Sequence, residues 1–288
     1  MQARRQSEVL RTALLVLAAA LAPTAHAQEQ VEFDSLDTAN GKPVRLLGHW
    51  FTAPNPKASA PALVLLHGCS GPYERGGRLG QRMRSFAALL NAQGAHALVL
   101  DSLTPRGEKE LCTQKLSTRR VTQANRRLDA LAALAWLAQR SGVDPHRVGL
   151  LGWSNGGSTV LAALNMRHPA VAAASVKAAF AVAFYPGCEA ELKRGFESSA
   201  PLLMLVGEAD DWTPAAPCHQ LAGAATGPMK PAIEGYAGAY HGFDSNAPVR
   251  LRNDVPEGVK PGQGVHVGGD PAAREASRQR LLQFLAQH

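Results

Sequence analysis

The stretch Leu150-Leu151-Gly152-Trp153-Ser154-Asn155-Gly156-Gly157 decides the reading of this 288-residue chain. It sets a serine between small residues, directly after the apolar segment Arg147-Val148-Gly149-Leu150-Leu151. Directly after it comes Ser158-Thr159-Val160-Leu161-Ala162-Ala163-Leu164, which reads as a helix. The spacing Gly152-x-Ser154-x-Gly156 predicts a nucleophile elbow. In that device a strand ends in a sharp turn, the flanking glycines give the backbone room, and the serine hydroxyl stands above the sheet at a helix start. The competing reading is an ordinary glycine-rich loop between a strand and a helix, so other groups must decide.

A serine hydroxyl is a poor nucleophile until an oriented imidazole takes its proton, so a base and an acid must accompany it. Both follow in the chain. Pro201-Leu202-Leu203-Met204-Leu205-Val206-Gly207 is apolar enough for a buried parallel strand, and it opens into Glu208-Ala209-Asp210-Asp211-Trp212-Thr213-Pro214. A carboxylate there would sit at the C-terminal end of a strand, where open α/β sheets build their sites. Farther on, Tyr240-His241-Gly242-Phe243-Asp244 follows the strand-like segment from Ile233 to Tyr236. Ser154, Asp210 and His241 therefore occur in the order of an α/β-hydrolase triad, which predicts a single α/β domain with a mostly parallel sheet flanked by helices. Taken singly, Asp210 and Asp211 are also ordinary turn residues. Of the ten histidines, His49, His96, His146, His168, His219 and His266 read as surface or satisfied core residues.

A fourth element agrees. The apolar run Ala62-Leu63-Val64-Leu65-Leu66 ends in His67-Gly68-Cys69-Ser70-Gly71, similar to an HG-type oxyanion loop. Acyl transfer needs two donors aimed at the developing oxyanion, one from the residue after the nucleophile and one from this earlier loop. Those donors are expected to be the backbone N–H groups of Asn155 and Cys69.

These motifs resemble the dienelactone hydrolase family of α/β-hydrolases, from about Val44 to the C-terminus. The acid loop from Gly207 to Pro214 places an aspartate four residues before a proline, as the family does, and this favours Asp210 over Asp211. Tyr240-His241-Gly242-Phe243 matches the family's histidine loop, and Asp270-Pro271 through Leu285 resembles its terminal helix. The founding members use a cysteine nucleophile restrained by a nearby glutamate, whereas this chain has Ser154 and, at the glutamate's expected place, His67-Gly68-Cys69. Dienelactone itself is therefore not the expected substrate. The family also holds a substrate carboxylate with arginines, and the resemblance brings Arg106, in Asp101-Ser-Leu-Thr-Pro-Arg106-Gly107, near the corresponding loop as a candidate substrate-binding residue; a solvated loop arginine is the alternative.

Residues Met1 to Ala27 read as a secretory signal peptide: Arg4, Arg5 and Arg11 precede the apolar run Thr12 to Ala22, and Ala25-His26-Ala27 gives the cleavage pattern. The mature chain, residues 28–288, is expected to be exported, periplasmic or secreted, monomeric and free of membrane segments. Removing three arginines and Glu8 lowers the net charge from +7 to +5, a modestly basic balance that does not imply nucleic acid. The dense basic cluster Arg119, Arg120, Arg126 and Arg127 decorates a helix running on through Leu137, and a solvated helix face accounts for it.

Four cysteines in an exported chain favour disulfides. Three pairings are possible. Cys188 with Cys218 is favoured because each follows a strand expected to neighbour the other, and Cys69 with Cys112 by the same logic. No cysteine or histidine spacing resembles a zinc site, and neither metal nor cofactor is required. The expected activity is hydrolysis of a small-molecule ester or lactone through an acyl-enzyme on Ser154. A peptidase or amidase on the same triad, and a non-catalytic binding protein on a hydrolase fold, are the alternatives.

Overall fold

The structure, a computed structural model, describes residues 28–54 and 59–288. The signal-peptide expectation for residues 1–27 lies outside the described residues. The element order is β1 (Gln28–Ala39), β2 (Lys42–Phe51), β3 (Ala60–Leu66), α1 (Gln81–Ala92), β4 (His96–Asp101), α2 (Gln123–Ala138), β5 (Val143–Trp153), α3 (Asn155–Leu164), α4 (Pro169–Ala172), β6 (Phe180–Phe184), α5 (Glu189–Arg194), β7 (Leu202–Gly207), α6 (Ala215–Ala224), β8 (Ala232–Tyr236), β9 (Arg250–Arg252), β10 (Val265–Val267) and α7 (Pro271–Leu285).

Eight strands form one sheet in the order β1-β2-β4-β3-β5-β6-β7-β8. The β1–β2 hairpin is antiparallel and joins β4 antiparallel, and every pair from β4 to β8 is parallel. Apolar residues run continuously through the central strands because both faces of the sheet are covered. On β3, Ala62, Val64 and Leu66 join the core under α2, α3 and α6, while Leu63 and Leu65 join the core under α1 and α7. The same period of two divides β7, with Leu202, Met204 and Val206 on one face and Leu203 and Leu205 on the other. Burying one such side chain is worth ~1.5–3 kcal/mol, so a slip of register, which moves every side chain to the other face, is strongly disfavoured.

This architecture places the C-terminal ends of β3, β5, β6, β7 and β8 along one edge of the sheet. The elbow, the acid loop, the histidine loop and the loop after β3 all lie at that edge. The glycine-rich segment from Gly258 to Gly269 includes β10, which pairs with β9 and bridges to His241 through Val267.

Candidate active site

Ser154 stands between β5 and α3 with φ 54° and ψ −120°, a conformation that costs a non-glycine residue ~1–3 kcal/mol. The turn is over-determined. The Ser154 N–H donates to the Phe184 carbonyl at 2.9 Å, and the Ser154 carbonyl accepts from the Ser158 N–H at 2.8 Å. A Cβ on Gly152 would run into the carbonyl of Gly156, and one on Gly156 into that of Leu66. These two close approaches are the physical content of the glycine spacing.

His241 Nε2 lies 2.9 Å from Ser154 Oγ, and His241 Nδ1 lies 2.8 Å from Asp210 Oδ2. A carboxylate only accepts, so Nδ1 carries the proton and Nε2 is left free to accept from the serine hydroxyl. Asp210 and His241 are both buried. The other carboxylate oxygen, Oδ1, accepts from the Trp212 and Thr213 N–H groups, each at 2.8 Å. Thr213 Oγ1 sits 3.0 Å from Asp210 Oδ2 and 3.0 Å from the Tyr185 carbonyl, and its single proton goes to the stronger acceptor, the carboxylate. The rings of Trp212 and Tyr185 each lie 4.7 Å from the imidazole, centroid to centroid. Asp211 turns away and accepts from His266 at both its ring and its backbone N–H, at 2.7 and 2.8 Å.

The two expected oxyanion donors flank this serine. As the first residue of α3, Asn155 has no carbonyl one turn earlier to take its N–H. The Cys69 N–H also has no protein acceptor among the described residues. The loop that carries Cys69 is anchored by a Cys69–Cys112 disulfide, and a Cys188–Cys218 disulfide joins the start of α5 to α6. This is the connectivity that the strand positions favour, and each bond contributes ~3–4 kcal/mol by constraining the unfolded chain.

Around the serine lies a cleft of about 230 Å³, bounded by Trp153, Tyr185 and Trp212 and by the side chains of Arg82, Arg250 and Arg252. Arg82 is held in a bidentate pair with Asp244, at 2.8 and 3.0 Å, and Asp244 also accepts from the Tyr185 hydroxyl at 2.7 Å. Arg252 lies over the Trp212 ring, 5.3 Å from its centroid.

Two arginine expectations need correction. Arg106 does not border the cleft: its guanidinium donates to Asp129 at 2.8 and 2.9 Å, to Asp37 at 2.7 Å and to the Ser102 carbonyl at 2.8 Å. It is neither solvated nor free for a substrate carboxylate, because β1 supplies Asp37 and α2 supplies Asp129. The basic cluster is not wholly a solvated helix face either, since Arg119 and Arg120 precede α2 and only Arg126 and Arg127 lie on it. Arg126 is 0% exposed, and its guanidinium donates to the Asn155 side-chain oxygen and, at 2.8 Å, to the His67 carbonyl. Burial pulls its pKa down to about 10 against the attraction of Asp129 and Asp101. The signal was there to be read, since Arg126 shares a helical phase with Ala130, Ala133 and Leu137, which all face the core.

Residues 51–288 match the model of the dienelactone hydrolase family. The chain belongs to the dienelactone hydrolase family. Among solved structures it is similar to a dienelactone hydrolase-like promiscuous phosphotriesterase from metagenomic libraries, at 18% identity and a TM-score of 0.61, covering 91% of this chain and 98% of that one. It is also similar to esterase 2 of Thermogutta terrifontis phosphorylated by paraoxon, at 17% identity and a TM-score of 0.63, covering 90% and 94%. The propionate-bound form of that thermophilic esterase aligns with a TM-score of 0.60 at 19% identity, over 90% of this chain and 94% of that one. No curated protein sequence matches the chain. At these identities the structural likeness establishes the shared fold of this dienelactone hydrolase family member, and its chemistry rests on its own residues.

Proposed function

We propose that this dienelactone hydrolase family member is an exported serine hydrolase that cleaves a small carboxylic ester or lactone through an acyl-enzyme on Ser154. The observation that carries this reading is the unbroken chain Ser154 Oγ, His241, Asp210, with links of 2.9 and 2.8 Å, set on a strained elbow.

Ser154 Oγ attacks the carbonyl carbon while its proton passes to His241 Nε2. Asp210 holds the imidazole in the productive tautomer and stabilises the imidazolium. The carbonyl oxygen becomes an oxyanion received by the Cys69 and Asn155 N–H groups, a contact of which one donor is worth ~3–4 kcal/mol in the transition state. Collapse expels the alkoxide, which takes the proton from His241; in a lactone this hydroxyl stays attached to the acyl group. Water, deprotonated by His241, then attacks the acyl-enzyme, and collapse of the second intermediate expels Ser154 Oγ, which takes the proton back from His241 as the acid leaves.

The size of the cleft favours a short acyl group, and Arg250 on its rim favours a substrate that carries negative charge, the role first looked for at Arg106; Arg82 and Arg252 are already paired with Asp244 and Asp254. Export is supported by the signal-like N-terminus and by two disulfides, with no free cysteine among the described residues. No described helix is long and apolar enough to cross a membrane.

The test is a panel of p-nitrophenyl esters from acetate to octanoate, simple lactones, monoesters of dicarboxylic acids and p-nitroanilides, run with wild type and Ser154→Ala. Turnover of short esters or lactones that vanishes in the variant is expected. Cleavage of anilides alone would shift the reading to an amidase, and undiminished hydrolysis by Ser154→Ala would overturn it.

A further inference from the structure

Arg126 has an unusual electrostatic situation. It is fully buried, yet no carboxylate lies within ion-pair distance of it among the described residues. Asp129, one turn away on α2, is already held by Arg106 and by the Ser35 hydroxyl, and Asp101 accepts from the Leu103 and Thr104 N–H groups. The guanidinium meets only neutral oxygens, and its Nε finds no partner at all. An uncompensated buried charge opposes folding, so a packing role alone does not explain it.

The two oxygens it does meet are informative. The Asn155 side chain belongs to the residue whose backbone N–H is one oxyanion donor. The His67 carbonyl lies two residues before Cys69, whose N–H is the other. His67 extends the connection: its Nδ1 lies 2.7 Å from the Gly68 carbonyl, and since that oxygen can only accept, Nδ1 is the donor. The Gly68 carbonyl belongs to the same peptide as the Cys69 N–H. One rigid fork thus holds the end of β3 and the start of α3, and a neutral imidazole beside it fixes the peptide that aims the Cys69 donor. Gln123, one turn before Arg126, adds a bond from its side-chain amide to the Asn155 carbonyl at 3.0 Å.

We propose that Arg126 is the positioning residue of the oxyanion site, clamping its two walls at a fixed separation and leaving its uncompensated positive charge to favour the oxyanion over the neutral carbonyl. The proposal rests on the serine hydrolase reading above. Because Arg126 acts on a state that exists only after attack, its loss lowers kcat and leaves KM nearly unchanged.

The experiment compares wild type, Arg126→Lys and Arg126→Met on a short p-nitrophenyl ester, with rates normalised to the active sites titrated by a fluorophosphonate. The affinity of a trifluoromethyl ketone, which forms an oxyanion on the serine, is measured alongside. Arg126→Met is expected to lower kcat per titrated site about a hundredfold, with KM within about twofold and the ketone weakened in step. Arg126→Lys, which keeps the charge but loses the fork, is expected to recover about tenfold of that loss.

Asn155→Asp serves if Arg126→Met does not fold. It preserves shape and gives the arginine a carboxylate, so its melting temperature is expected to hold or rise while kcat falls about tenfold. A kcat per titrated site within twofold of wild type in Arg126→Met, or in Asn155→Asp if that variant must stand in, would overturn the proposal. If wild type itself neither turns over esters nor is phosphonylated, the hydrolase reading fails first and the proposal with it.

Discussion

Asp210 and Asp211 are neighbours in the chain, and each holds a histidine at nearly the same distance, His241 at 2.8 Å and His266 at 2.7 Å. Contact distance does not separate the two pairs, but their surroundings do. The side chains of Asp210 and His241 are 0% and 6% exposed, against 33% and 43% for Asp211 and His266. The buried aspartate has every lone pair engaged, by two backbone N–H groups, Thr213 and the imidazole, and the far nitrogen of its histidine meets Ser154. The half-buried pair instead fastens β10 to the acid loop and presents no nucleophile. A carboxylate–imidazole contact becomes catalytic through exclusion of water and a third group in line, since both strengthen charge stabilisation where it is needed.

That contrast can be broken by substitution. Asp210→Asn leaves shape intact but lets the amide donate to Nδ1, favouring the wrong tautomer, and is expected to lower kcat about 10,000-fold. Thr213→Val removes one charge-assisted hydrogen bond from the same carboxylate, worth ~1.5–3 kcal/mol, and should cost about ten- to a hundredfold. Asp211→Asn removes the same charge as Asp210→Asn one residue on and should change kcat less than about threefold, because surface pairs contribute little. Initial rates of short-ester hydrolysis with active-site titration read all three. Equal losses from the two asparagine variants would remove the distinction between the pairs.

How much was legible in the sequence follows from how local each constraint is. The elbow was readable because its glycines answer to backbone atoms within a few residues or on the adjoining strand. The parallel core was readable because continuous apolar runs mean burial on both faces. Asp210 was separable from Asp211 only through the family's aspartate-to-proline spacing, since both suit a turn. The β1–β2 hairpin is hard to read because it lies at the edge of the sheet and β1 alternates, burying Val31, Phe33 and Ser35 between exposed residues. Without that strand Arg106 looks free, although its charge is absorbed in part by Asp37 on β1. The arginine near the expected loop is held by two aspartates, while Arg126, on a helix that reads as solvated, is buried against the Asn155 side chain and the His67 carbonyl. Net charge along a helix does not reveal which face a residue takes, but helical phase does.

The central claim is that Ser154 is an activated nucleophile. It is tested most directly by exposing the intact protein to a fluorophosphonate, weighing the product and mapping the modified peptide. The account predicts one phosphonyl group per chain, on Ser154, and none on Ser154→Ala. An unmodified wild-type protein, or a label that persists when Ser154 is replaced, would contradict it.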